Sequence, residues 1–273
     1  VIVSCFFNPQ NSPYRLLAFQ KFYSSIKHLN HRIIECVIGD AQPQLPDSPY
    51  ITRVHSNTLL WHKEALLNKI ISELPPELKY VFWVDADVKF TNLNWMTDSV
   101  KLLKNDCNIL QPFEYCVHLE KNQNEPSFNP DSVKMSPRLQ RLTRSEVDFE
   151  WLARSKKMWR SFCANFVDTN NSHDENYDVH GHVGFAWGAR RSLLEKIPLY
   201  DRALIGGADH IIAHAAAGHI PHECIRKSFT DDIVEVEKWM NRFYEVCQAR
   251  IGFVSGDLYH YWHGDIQKRQ YLK

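Results

Sequence analysis

Over the first 90 residues short apolar runs alternate with stretches of helical period, an order that points to a parallel α/β sheet. Val1-Ile2-Val3-Ser4-Cys5-Phe6-Phe7 reads as a buried strand. Ser12-Pro13 then marks a helix start, a capping residue followed by proline at the first helical position. Leu16, Phe19, Tyr23 and Ile26 fall on one face of that helix. Residues 32–38 form a second strand ending at Gly39-Asp40, and a shorter third lies near Tyr50 to Val54. An amphipathic helix over about Leu59 to Leu74 is stopped by Pro75-Pro76. Lys79 to Val84 is a further strand, running straight into Asp85-Ala86-Asp87. This βαβαβ order predicts a Rossmann-like, mostly parallel central sheet with flanking helices and a ligand site at the strands' carboxyl ends.

Residues 95–111 continue with a helix and a strand, Cys107 to Leu110. From about 112 to 180 the chain turns charged, polar and aromatic, and reads as a helical and loop insertion within one domain. The chain thus divides into 1–111, 112–180 and 181–273. Inside the insertion a capped helix begins near Ser145, with Val147, Trp151, Met158, Trp159 and Phe162 on its buried side, and Asp168 to Asp178 is a loop. Beyond it come a strand (Val183 to Trp187), the loop Ile205-Gly206-Gly207-Ala208-Asp209, and a helix to about Gly218. A second helix follows near 232–248, and then the tail Tyr259-His260-Tyr261-Trp262-His263-Gly264. Trp61, Trp83, Trp187, Trp239 and Trp262 read mostly as core, with Trp187 placed to stack on a sugar face.

The 32 basic residues balance the 32 acidic ones, against a nucleic-acid partner, which needs a basic excess or stripe. The apolar opening run is too short to span a bilayer and carries no basic leader. Seven cysteines, an odd number without a CxxC pair, read as reduced core residues. Together these favour a cytoplasmic protein, with a preceding targeting segment left open.

Asp85 and Asp87 carry the clearest chemistry. Two carboxylates one residue apart, at the open end of an apolar strand, suit a hard divalent cation such as Mn²⁺ or Mg²⁺. Such a cation can bridge the two phosphates of a nucleotide diphosphate and neutralise charge on a departing diphosphate. A solvated turn after a strand is the competing reading of the same tripeptide.

With the nucleotide-binding βαβ half, this Asp85-x-Asp87, a Gly-Gly-x-Asp loop and a C-terminal His motif, the sequence resembles GT-A glycosyltransferases over most of its length, the 112–180 region excepted. The resemblance implies a metal-dependent transfer of a sugar from a nucleotide-sugar donor, UDP-linked by preference, to a hydroxyl on a glycan, lipid or protein. It implies that Asp85 and Asp87 bind metal and ribose or phosphate. Lys63 and Asn68 resemble the K-x-x-x-x-N that precedes the DxD in galactosyl- and GalNAc-transferase-like families. They lie about 140° apart around a helix, so one can reach the donor while the other fixes the DxD loop. Asp40 stands where the family contacts the base, and Arg15 follows the first loop, near a phosphate position.

Gly206-Gly207-Ala208-Asp209 resembles the family's Gly-Gly-Glu-Asp loop, with Ala208 in place of Glu. Asp209 is then the general base for the acceptor hydroxyl, which favours inversion at the sugar carbon, while retaining members of the fold also carry a DxD and a C-terminal His. By the same likeness His263, and secondarily His260, supply a metal ligand, while Lys268 and Arg269 clamp the diphosphate. His180 and His182 are assigned to the acceptor side. His210 and His214, four apart on a helix, have zinc-ligand spacing. With fourteen histidines in the chain and no HExxH or evident Cys partner, no zinc site is expected there. Two other classes compete. A nucleotidyltransferase shares the core but needs a Gly-rich loop after the first strand, where this chain has Asn8-Pro9-Gln10-Asn11-Ser12. A non-catalytic binding relative would have lost the metal motif.

Overall fold

In the computed structural model, which describes residues 1–60, 62–130, 158–169, 180–204, 206–220, 223–229 and 232–264, the chain is a two-sheet α/β domain. The central sheet contains β1 (Ile2–Phe7), β2 (His31–Ile38), β3 (Ile51–Ser56), β4 (Tyr80–Val84), β6 (Ile109–Gln111), β9 (Ala186–Arg190) and β10 (Ile251–Phe253). Their order is β10-β6-β9-β4-β1-β2-β3. β1 pairs in parallel with β2 and β4, β2 with β3, and β10 with β6, while β9 runs antiparallel between β4 and β6. The mostly parallel sheet is therefore as the alternating pattern predicts.

Near-continuous apolar runs in β1 and β4 reflect burial on both faces. Val3, Val81 and Trp83 face one core, with Leu67 and Ile70 of α2 (Lys63–Glu73) and Ile211 and Ala215 of α6 (Ala208–Ala217). Ile2, Phe6 and Phe82 face the other, with Phe19, Phe22 and Ile26 of α1 (Pro13–Ile26) and Leu103 of α3 (Trp95–Asn105). Alternation along each strand divides its side chains between the two cores. Helices α5 (Arg191–Lys196) and α8 (Ile233–Cys247) complete the first layer.

The second sheet has the order β5-β11-β7-β8, with β5 (Val88–Phe90), β7 (Tyr115–His118), β8 (Met158–Arg160) and β11 (Asp257–His260). It draws on both ends of the 112–180 segment and on the C-terminal tail. The helix expected to run through Met158 and Trp159 gives way there: these residues pair with Cys116 and Val117 as strand β8. Ser161 then caps α4 (Phe162–Asp168), its hydroxyl accepting from the Ala164 N–H at 3.1 Å. The start of the expected helix, from Ser145, lies outside the described residues. The strand expected over Val183 to Trp187 begins at Ala186, because Phe185 has φ +77° and breaks extended backbone. Trp187 is fully buried, stacked near Trp83 with its indole N–H donated to the Val183 carbonyl, so it presents no face to a sugar. None of the seven cysteines forms a disulfide. Among the described residues no helix is long and apolar enough to cross a membrane.

Candidate active site

The carboxyl ends of β1 and β4 open into a cavity of about 260 Å³. Its walls include Arg15, Lys63, Asp85, Asp87, Asp209 and His263, which the chain supplies from five separate elements or their flanks. The turn after β4 projects both aspartates. Asp85 is fixed by its own N–H, donated to the Phe185 carbonyl at 2.7 Å, and the Asp87 carbonyl accepts from the Tyr261 N–H at 2.8 Å. The two carboxylates then take different partners.

Asp87 meets the tail. Its Oδ2 lies 3.0 Å from His263 Nε2 and 3.6 Å from His260 Nε2, and the three residues bring one ligand atom each within 4.8 Å of one another. Its Oδ1 is buried and has no hydrogen-bond partner among the described residues. Burial by itself would raise the Asp87 carboxyl, but the two imidazoles outweigh it and hold the group well below the usual carboxylate range. One carboxylate and two imidazoles, with a buried oxygen left over, form a donor set that fits Mn²⁺ and similar divalent ions.

Asp85 belongs instead to a charged line. Lys63 Nζ sits 2.6 Å from Asp85 Oδ1 and 3.2 Å from Asp209 Oδ2, joining the DxD turn to the start of α6. Burial would lower the Lys63 ammonium, yet Asp209 and Asp85 raise it well above its ordinary value. Burial pushes the Asp85 carboxyl up to about 6 despite Lys63. Glu64, the next residue and almost fully enclosed, is pushed up to about 7 by the same burial. Glu64 was not anticipated, since a glutamate in the first turn of a helix ordinarily signals only a favourable dipole contact.

Gly206 and Gly207 bring the chain into α6 at φ +96° and +94°, a conformation that costs an L side chain about 1–2 kcal/mol. Nothing lies within 4 Å of a Cβ built on Gly206, so the loop leaves open space beside Asp209. Phe185 is a further unforeseen element. Its ring stacks on His182 at 4.1 Å and on His260 at 4.7 Å, so it positions one of the Asp87 partners. Burial, with His118 and His260 beside it, takes the His182 imidazole down to about 3.

The remaining candidates separate. Arg15 lines the cavity and donates to the Phe7 carbonyl at 3.2 Å. Asn68 points away from it: its amide donates to the Leu199 carbonyl at 2.9 Å and accepts from the Leu199 N–H at 3.0 Å, tying α2 to the segment before α6. Asp40 is exposed just past β2 and is not among the cavity's lining residues. His180 packs with His210 and His214, away from the cavity wall. Lys268 and Arg269 lie outside the described residues.

No protein-family model matches the chain, and no curated protein sequence does. Solved structures are similar in fold at low identity. TarS of S. aureus, residues 1–349, shares 9% identity over 95% of this chain and 59% of its own, with a TM-score of 0.44. Glucosyl-3-phosphoglycerate synthase of Mycobacterium tuberculosis, in complex with Mn²⁺, UDP-glucose and phosphoglyceric acid, shares 11% over 98% and 72%, at 0.42. The 4-diphosphocytidyl-2C-methyl-D-erythritol synthase of Anaerococcus prevotii shares 11% over 93% and 86%, at 0.33. The chain thus spans about three fifths of the TarS structure's length. At these values the chemistry rests on this chain's own residues.

Proposed function

We propose that the chain is a metal-dependent glycosyltransferase of the GT-A type, moving a sugar from a nucleoside diphosphate sugar, UDP-linked by preference, to a hydroxyl acceptor with inversion. One observation carries the reading. Asp87, His260 and His263 converge in the cavity that is also lined by the Lys63 bridge between Asp85 and Asp209. Asp87, His263 and His260 are assigned to a divalent cation, Mn²⁺ or Mg²⁺, which when bound neutralises charge on the diphosphate leaving group.

The chain's own groups do the rest. Arg15, in the first turn of α1 beyond the end of β1, is placed to meet phosphate. Asp85 faces the donor while Lys63 holds it in register with Asp209. Asp209 accepts the proton of the acceptor hydroxyl as that oxygen bonds to the sugar's C1 and the bond from C1 to the diphosphate breaks. The open backbone at Gly206 leaves room for the transferred sugar. Acceptors are hydroxyls of glycans, lipids or proteins.

The test is turnover of UDP-sugars with Mn²⁺ and without. Metal-dependent release of UDP, with transfer or with slow hydrolysis, is expected. Release of pyrophosphate from a nucleoside triphosphate and a sugar 1-phosphate, with no reaction of UDP-sugars, would instead make the protein a nucleotidyltransferase.

A further inference from the structure

Among residues that do not line the cavity, and separate from Asp87, a second group of metal-type ligands is assembled. His180, just before the loop that leads to β9, meets His210 and His214 of α6 and Cys224 of α7 (Glu223–Ser228). One ligand atom from each lies within 4.8 Å of all the others. Cys224 Sγ is 3.0 Å from His210 Nε2 and 3.3 Å from His214 Nε2. Three of the four residues are buried. A tetrahedral zinc ion, with Zn–S near 2.3 Å and Zn–N near 2.0–2.1 Å, sets its ligand atoms about 3.3–3.6 Å apart. The sulfur-to-nitrogen separation for those bond lengths is at the upper end, about 3.5 Å; the 3.3 Å from Cys224 to His214 is close to it and the 3.0 Å to His210 about half an ångström shorter.

The surroundings orient the donors as zinc ligation requires. His180 Nδ1 lies 2.9 Å from the Gly181 carbonyl, which fixes the proton on Nδ1 and leaves Nε2 as the electron-pair donor. His214 turns Nε2 to the sulfur while its Nδ1 meets His219 Nδ1 at 3.3 Å. Outer contacts of this kind orient metal-binding imidazoles.

We propose that His180, His210, His214 and Cys224 bind one structural zinc ion, distinct from the divalent cation assigned to Asp87. A thiolate among imidazoles selects zinc over Mn²⁺ or Mg²⁺, which prefer oxygen. Four protein ligands close the coordination sphere, as in structural sites and unlike catalytic ones, which keep a position open. The site staples the 180–184 loop to α6 and α7, whose ligands lie close together in the sequence but 30 or more residues beyond His180. Because α6 begins with Ala208-Asp209, and the 180–184 loop leads into Phe185 beneath Asp85, the zinc ion fixes the backbone on which the active cavity is built.

The experiment is metal analysis of the intact chain, purified with no added metal and exchanged into metal-depleted buffer. One zinc per chain is expected, retained in Asp87→Ala and lost from Cys224→Ser and His214→Asn. Because those two variants can fold poorly, the wild-type chain is also exchanged with Co²⁺. Visible bands of tetrahedral cobalt with a near-ultraviolet thiolate-to-metal band are expected. Three results would overturn the site: no zinc in wild type even after incubation with stoichiometric Zn²⁺, zinc lost from Asp87→Ala but kept in Cys224→Ser, or a cobalt spectrum without the thiolate band. None of these readouts uses a nucleotide, so the zinc site and the transferase reading fail independently.

Discussion

Replacing Lys63 by Met removes the cation that bridges Asp85 and Asp209 while keeping much of the side chain's length. At 2.6 and 3.2 Å, each ion pair amounts to about 5–6 kcal/mol gross at an effective dielectric near 20. Much of this offsets the desolvation of an ammonium whose side chain is only 10% exposed. The net loss expected is that of a broken buried pair, about 3–5 kcal/mol. For a chain of this size that lowers Tm by roughly 10 °C. The loss depends on pH in a definite direction. Lys63 is what holds the Asp85 and Glu64 carboxyls down against burial, so without it both rise further above their unfolded values. The native state then binds more protons than the unfolded state, so the variant's stability falls as pH rises. Urea denaturation of wild type and Lys63→Met without added metal, at pH 8 and pH 5, reads this directly. The deficit should be several kcal/mol at pH 8 and markedly smaller at pH 5. A deficit under about 1 kcal/mol at pH 8, or one equal at both pH values, would refute the account of the charged line.

Three further outcomes follow from the site. Glu64→Gln removes a carboxyl raised from 4.5 to about 7; the raised value means wild type loses stability as pH rises through that window. The variant should therefore gain up to about 3 kcal/mol over wild type at pH 8 and nothing below pH 4.5, read by denaturation at the two extremes. Asp209→Asn should lose transfer by at least about a hundredfold while binding UDP with unchanged affinity, compared by single-turnover kinetics and calorimetry. Asn68→Ala breaks both bonds to Leu199 and should cost about 1–3 kcal/mol of stability with UDP affinity unaltered; a weakened UDP affinity would return Asn68 to the donor site.

The first half of the central sheet was legible because β1, β2 and β4 are five to eight residues long and buried on both faces. Their apolar runs are unbroken, and helices of clear period separate them. The second sheet was not, since β5 and β8 have three residues each, too few to show a period. Trp187 was misjudged for a related reason. Position at a strand end says nothing of burial when that strand lies antiparallel between two others. The metal-type residues divide in the same way. Asp85, Asp87, His260 and His263 sit in short recognisable motifs, although only the fold reveals that Asp85 pairs with Lys63 and Asp87 with the tail. His180 stands 30 or more residues, and Cys224 10 and 14 residues, from their partners on α6, so no spacing rule links the four. Phe185 and Glu64 carried no signal beyond residue type.

The assignment of Asp87 and the tail histidines to a donor-binding metal is tested most directly by calorimetry of UDP in metal-depleted buffer, with and without Mn²⁺, on wild type and Asp87→Ala. Wild type should bind UDP at least about tenfold more tightly with Mn²⁺, a difference of about 1.4 kcal/mol, and Asp87→Ala should lose that difference while its thermal transition stays cooperative. UDP binding of equal strength with and without metal, or a metal effect that survives in Asp87→Ala, would contradict it.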